Sequence, residues 1–277
     1  MASDSLSKTV LRPGGRSMLG YFQGLVQYKS LIWTLAKRDL KGRFAQSYLG
    51  WVWIVLRAGF TLFFFTLIFN HFLSVESEEL PYPIFAFSGM VAWYLFSGLT
   101  QSTGLSLINS SDLIRKIYFP KLVLPLARSL EVLVELAIHL IILFLGLLVF
   151  GVQPSLSWLL VPFLFIPVLL LGLMCGIWLS LFTVRIRDLQ YIIPFILNFG
   201  IWLTPVFYPV SIVPEQFRPL VYWVNPLVSS LDCIRWAIVP NGQFPILIIP
   251  IASILVFFLA VGVFFFQRKD GNMVDTI

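Results

Sequence analysis

Two sets of residues have the types and spacing to do chemistry. The first is Arg128, Glu131, Glu135 and His139, at steps of three, four and four. Residues three and four apart share one face of a helix, so a cation, two acids and an imidazole line up as a single stripe inside an otherwise apolar run. Ionisable groups at membrane depth face a bundle interior or a water-filled cavity and pair with one another. Such a stripe serves either as a structural ion-pair network, with Arg57 or Arg128 neutralising the acids, or as a proton relay. Both signs of charge occupy the same layer, which favours the network. The second set is Tyr191, Phe195, Phe199 and Trp202, at helical spacing in the uncharged run Gln190–Tyr208. Flat C–H faces of sugar rings pack on aromatic rings while their hydroxyls stay wet, so an aromatic stripe beside water suits a carbohydrate. The alternative is that the rings fill a helix packing seam or face lipid.

Composition decides what must hold these residues. Apolar residues make up 58% of the 277-residue chain and charged ones 12%, far from the roughly 25% charged residues of soluble domains. Uninterrupted apolar runs of roughly 20 residues match the ~30 Å hydrocarbon core, whereas a strand barrel would show alternating segments of about ten. The fold class is therefore an all-α membrane protein. The first thirty residues carry Lys8, Arg12, Arg16 and Lys29 without an apolar core of signal-peptide length, so no cleaved leader is expected. Cys175 and Cys233 offer neither a disulfide framework nor metal-ligand spacing, and no metal or other cofactor is expected. The net charge of +6 reports orientation and not nucleic acid.

Along the chain, 1–30 reads as a mostly irregular cytoplasmic arm. The segment 31–49 reads as an amphipathic interface helix, with Trp33, Leu40, Phe44 and Tyr48 on one face and Lys37, Arg38, Lys41 and Arg43 largely elsewhere. Residues 50–267 hold six spans, at about 51–71, 83–107, 123–150, 158–183, 190–208 and 244–266. In span 1, Trp53, Arg57, Phe60 and Phe64 share a face that could meet the aromatic stripe of span 5. Glycines 89, 98 and 104 let span 2 approach its neighbours closely. The loop 110–120 should form a short helix that Ser110 or Ser111 caps and Pro120 stops near Phe119. Between 210 and 240 two short helices are expected, the first starting near Pro214 and the second with Asn225 as cap and Pro226 in its first turn. Bearing Tyr222, Trp223 and Trp236, they would dip back into the bundle as a re-entrant outer lid. Of the 19 basic residues, all but Arg57, Arg128, Arg218 and Arg235 fall on one side of this topology. The positive-inside rule then puts both termini, including the tail 268–277, in the cytoplasm.

Five stretches together resemble the permease subunit of ABC-2 type polysaccharide exporters, most closely the lipopolysaccharide O-antigen permeases. They are AKRDLKGRFAQSYLGWVW, PYPIFAFSGMVAWYLF, LIRKIYFPKLVLPL, VRIRDLQYIIPF and TPVFYPVSIVPEQFRPLVYWVNPL, in order and at family spacing from Leu31 to Ile238. The chain departs from that pattern at Arg57, where a glutamine is usual, and in its tail FQRKDGNMVDTI. The resemblance implies a homodimeric half-transporter in the bacterial inner membrane that carries a lipid-linked polysaccharide, with two copies of a separate ATPase bound below. Teichoic acid or capsular polysaccharide is the alternative cargo, and a proton-driven secondary transporter is the rival outside the family. The absence of a G-x-x-x-x-G-K-[ST] phosphate loop agrees with a transport subunit that is not itself an enzyme, ATP and Mg being held by the partner.

By the same resemblance, Asp112, Arg115, Lys116, Tyr118 and Phe119 belong to the helix that couples to the ATPase. Spans 1 and 5 would line the conduit, with Phe60, Phe64, Tyr191, Phe195, Phe199 and Trp202 as its aromatic wall and Tyr222, Trp223 and Trp236 at the outer gate. Arg38, Lys41 and Arg43 would meet the substrate's pyrophosphate where it is admitted from the cytoplasmic side.

Overall fold

One helix organises the bundle because its sequence lets neighbours come close on every side. The computed structural model describes residues 18–44, 47–74, 80–239 and 244–270. The arm 1–17, the acidic loop with Glu76, Glu78 and Glu79, the end of the lid at 240–243 and the tail 271–277 lie outside the described residues. In chain order the helices are α1 (Met18–Gln27), α2 (Lys29–Phe44), α3 (Val52–Phe65), α4 (Tyr82–Gly104), α5 (Ser111–Lys116) and α6 (Val123–Val149). They continue with α7 (Val161–Leu164), α8 (Ile166–Thr183), α9 (Leu189–Leu203), α10 (Arg218–Val224), α11 (Pro226–Ile238) and α12 (Ile248–Lys269). A π-helical stretch, Thr66–Phe72, prolongs α3, and a 3₁₀ turn, Leu156–Leu160, precedes α7. No strand occurs among the described residues.

The organising helix is α4, buried over most of its length and packed between α8 and α6. Glycine makes this possible, as expected for Gly89, Gly98 and Gly104. A Cβ on Gly98 would sit 3.1 Å from Val132 of α6, and one on Gly104 3.3 Å from Leu179 of α8. From the other side, Gly176 of α8 leaves so little room that a Cβ would lie 1.6 Å from the Thr103 hydroxyl and 3.1 Å from the Leu99 carbonyl. Lipid gives helices no hydrophobic reason to associate, so close van der Waals contact through small residues holds the pair. Thr183 of α8 adds a hydrogen bond from its hydroxyl to the Gly104 carbonyl at 3.0 Å.

Among the described residues, five helical segments are long and apolar enough to cross a membrane: Val52–Phe72, Tyr82–Gly104, Val123–Val149, Leu156–Thr183 and Ile248–Lys269. The expected fifth of six spans differs. Helix α9 is apolar but has 15 residues, about 22 Å at ~1.5 Å per residue and short of the ~30 Å core. It stops where Thr204 turns extended (φ −98°, ψ 137°) ahead of Pro205, because the proline ring disfavours a helical conformation in the residue before it. The chain then folds inward. Val206 and Phe207 are buried, Val206 seats against Gly89, and the Phe207 ring stacks on Phe65 with centroids 3.6 Å apart.

Two apolar clusters mark the two ends of the bundle. One gathers α1, α2, the α5 loop, the start of α6 and the ends of α8 and α12 around Leu35, Phe119 and Phe266. The other joins the first half of α4 to the end of α6, α7 and α11. Helix α1 occupies residues read from sequence as irregular. Gly20 and Gly24 weaken its intrinsic propensity, and burial of Tyr21 and Leu25 against the first cluster holds it instead. That burial, with the Asp270 carboxylate nearby, pushes the Tyr21 phenol above its ordinary range. On α2, Leu35 and Ala36 face the bundle while Trp33 is exposed, as is Tyr48 beyond the end of the helix.

Candidate functional site

The ionisable stripe of α6 lies in a cavity of about 830 Å³ between α2, α3, α4 and α6. Its wall contains Arg38, Asp39 and Arg43 from α2, Trp53 and Arg57 from α3, Ser97 and Gln101 from α4, and Arg128, Glu131, Glu135 and His139 from α6. Asp39 accepts from both Arg38 (2.8 Å) and Arg128 (3.3 Å), and Arg128 also reaches Glu131 at 3.2 Å. Arg43 pairs with Glu135. Helix α2 is thus fastened to α6 by two ionic rungs, about one turn apart on α2 and two turns apart on α6, which hold Asp39 inward. His139, buried at the far end of the stripe, packs against Tyr94 and Phe87. Both acids are engaged by arginines, the arrangement of a structural network.

A second opening of about 570 Å³, lined by Arg43, Ser47, Trp53, Arg57, Phe60 and Thr61, adjoins this cavity and leads onto the outer face of α3. Of the three residues expected where substrate is admitted, Arg38 and Arg43 line the main cavity, and Lys41, on the exposed side of α2, does not.

The aromatic stripe is largely uncovered among the described residues. Tyr191, Phe195, Phe199 and Trp202 are between 51 and 73% exposed, and Phe60 and Phe64 are equally open. Phe195 and Phe199 contact each other at 4.8 Å. The ring by which α3 meets α9 is Phe65, which lies 5.3 Å from Trp202. Phe60 and Phe64, expected on the face that meets span 5, stand free of it.

At the basic end, α5 presents Asp112, Arg115 and Lys116 to the exterior, and the segment after it presents Tyr118. Phe119 turns inward and is buried, anchoring the loop. The helix ends at Lys116, earlier than Pro120 suggests, and no serine side chain caps it. The Lys121 amide donates to the Asp270 carboxylate at 2.9 Å, tying this loop to the end of α12.

At the opposite end Asn225 caps α11 as expected, accepting from the Leu227 amide, with Pro226 in the first turn. Its side-chain amide donates to the Thr204 hydroxyl at 2.8 Å. Tyr222 donates to Asp232, Trp236 packs edge-on against Phe244 at 5.0 Å, and Trp223 is exposed. Sequence reading missed the residue that matters most here. Arg235 stacks its guanidinium 3.6 Å from the Phe85 centroid and donates to the carbonyls of Pro205 and Val206 at 3.1 Å each. It thereby satisfies the backbone that α9 leaves open, which irregular chain at membrane depth requires. A lone arginine in an apolar helix was its signal.

A profile described as ABC-2 type transporter matches residues 30–239, most of the chain. The chain belongs to the ABC-2 type transporter family. It is 27% identical over 259 residues to the O-antigen export system permease protein RfbA of Myxococcus xanthus, covering 91% of this chain and 98% of that protein. A Klebsiella pneumoniae protein of the same name is 27% identical over 203 residues, with 73% of this chain and 77% of that protein covered. The polysialic acid transport protein KpsM of Escherichia coli is 22% identical over 228 residues, covering 79% and 84%. Membership in this family and five apolar helices of crossing length make this a multi-pass membrane transport protein.

Proposed function

We propose that this ABC-2 family member is the membrane subunit of an ATP-driven exporter that moves a lipid-linked polysaccharide of O-antigen type across the bacterial inner membrane. The observation that supports the reading is the set of open rings on α9 and α3, of which Phe60 lines the opening that adjoins the polar cavity. Two copies of the chain, with these faces turned toward each other, would enclose a wet, ring-lined conduit. In this reading α9 is the fifth of six spans, completed by the inward turn after Thr204, and both termini are cytoplasmic. Two copies of an ATPase hold ATP and Mg, bind the α5 end through Asp112, Arg115, Lys116 and Tyr118, and drive the change of state. The substrate's pyrophosphate is admitted beside Arg38 and Arg43, and α10 and α11 form the outer, re-entrant gate. Sugar stacking on each ring contributes ~1 kcal/mol, enough to guide a chain and little enough to release it.

The relatives are named for O-antigen and for polysialic acid, so a capsule-type or teichoic acid glycan is the alternative cargo on the same machinery. A proton-driven mechanism is disfavoured because Arg128 and Arg43 already engage Glu131 and Glu135. The test is a Phe199→Ala/Trp202→Ala double variant expressed with its ATPase. Surface glycan is expected to fall severalfold while the complex still assembles, and unchanged surface glycan would remove the stacking role.

A further inference from the structure

Of the four arginines in the main cavity, three have carboxylate partners. Arg38 and Arg128 share Asp39, Arg128 also holds Glu131, and Arg43 holds Glu135. Arg57 makes no ion pair among the described residues. It shares the cavity with Glu135 and His139, and Glu135 pairs with Arg43. Arg57 is the sixth residue of α3, near the start of a segment long and apolar enough to cross a membrane. A guanidinium in a span is costly without a counter-charge.

The surroundings of Arg57 describe what the missing counter-charge looks like. It borders both the 830 Å³ cavity and the 570 Å³ opening, so a ligand can reach it from the face of α3. Ser97, Gln101, Ser102 and Asn109 supply neutral hydrogen-bonding groups in the same cavity. A planar fork of N–H donors suits a phosphate oxygen pair, and neutral amides and hydroxyls suit the groups attached to it.

We infer that Arg57 is the anion-recognition residue of this cavity and that its ligand is a phosphate-class anion, a mono- or diphosphate group. The inference rests on the export reading only for the molecule that brings the anion, which is either a lipid carrier's headgroup or a free phosphate species. Arg57 thus selects the charged end of a substrate, while the rings beyond Phe60 meet its uncharged part.

The test is equilibrium binding to the purified full chain in phosphatidylcholine nanodiscs, without ATPase, in two arms: inorganic pyrophosphate, and a polyprenyl diphosphate incorporated in the disc. Arg57→Gln keeps a comparable shape without charge, Arg57→Lys keeps charge without the fork, and Arg187→Gln, on an exposed loop, controls for net charge. Binding in either arm is expected to weaken at least tenfold in Arg57→Gln, less in Arg57→Lys, and not in Arg187→Gln. Dependence in the pyrophosphate arm assigns the site to free phosphate species as well, and dependence in the lipid arm alone assigns it to a carrier headgroup. Loss of less than threefold in both arms for Arg57→Gln, with an unchanged size-exclusion profile, overturns the inference. The readout needs neither ATPase nor glycan, so its failure leaves the export reading standing, and a failure of export leaves this site intact.

Discussion

At the scale of single residues, pairing decides which charges are structural. The stripe Arg128, Glu131, Glu135 and His139 was legible from spacing alone, because a period of three and four on an apolar run has one geometric meaning. Its partners were not. Asp39 is the sole acid in a basic run, and only the docking of α2 on α6 brings it to Arg128. Arg235 shows the same limit, since its acceptors are carbonyls exposed by a helix ending thirty residues earlier. Replacing Arg235 by alanine removes two charge-assisted hydrogen bonds and a cation–π contact. The expected cost is about 3 kcal/mol, read as a lowered thermal midpoint in detergent. Arg235→Lys should recover only part of it, because one ammonium cannot reproduce the planar fork over Phe85. An unchanged midpoint in Arg235→Ala would show that the chain after α9 is held by something else.

At the scale of elements, what sequence reveals is the helix and what it hides is the seat. Composition and apolar run length located the five helices of crossing length to within a few residues, and the Asn225-Pro226 cap of α11 was readable for the same local reason. Helix α1 was missed because tertiary contact overrides local preference: it forms because Tyr21 and Leu25 find a cluster to enter. Helix α9 ends early for a local reason, the Thr204-Pro205 step that an uncharged run concealed. The α4–α8 seat gives a direct prediction. Gly176→Ala places a methyl against Thr103 and the Leu99 carbonyl, so the helices must separate, at an expected cost of about 1–3 kcal/mol in unfolding stability. Gly59→Ala on α3 meets nothing within 4 Å in the protomer, and its midpoint should match that of the parent. Equal stability of the two variants would mean that α4 and α8 do not touch as closely as described.

At the scale of the whole molecule, the two ends of the bundle differ and one face between them is uncovered. A basic end carries α2, α5 and the ends of α8 and α12, an opposite end carries α10 and α11, and between them one side of α3 and α9 is left covered with open rings. Sequence reading identified the rings through their spacing, but could not tell an uncovered face from a packed seam, because that depends on which ring of α3 α9 touches. Phe65 makes that contact, which leaves Phe60, Phe64, Phe195 and Phe199 exposed, as the proposed conduit requires. The most direct measurement is labelling of single cysteines at Phe199 and Trp202, with Cys175 and Cys233 replaced by serine, in membranes holding the assembled transporter. A small charged thiol reagent, unable to enter lipid, is expected to react at both positions and to react less when glycan occupies the transporter. Silence toward that reagent in every nucleotide state, together with ready labelling by a lipid-soluble maleimide, would contradict a hydrated conduit and return these rings to the bilayer.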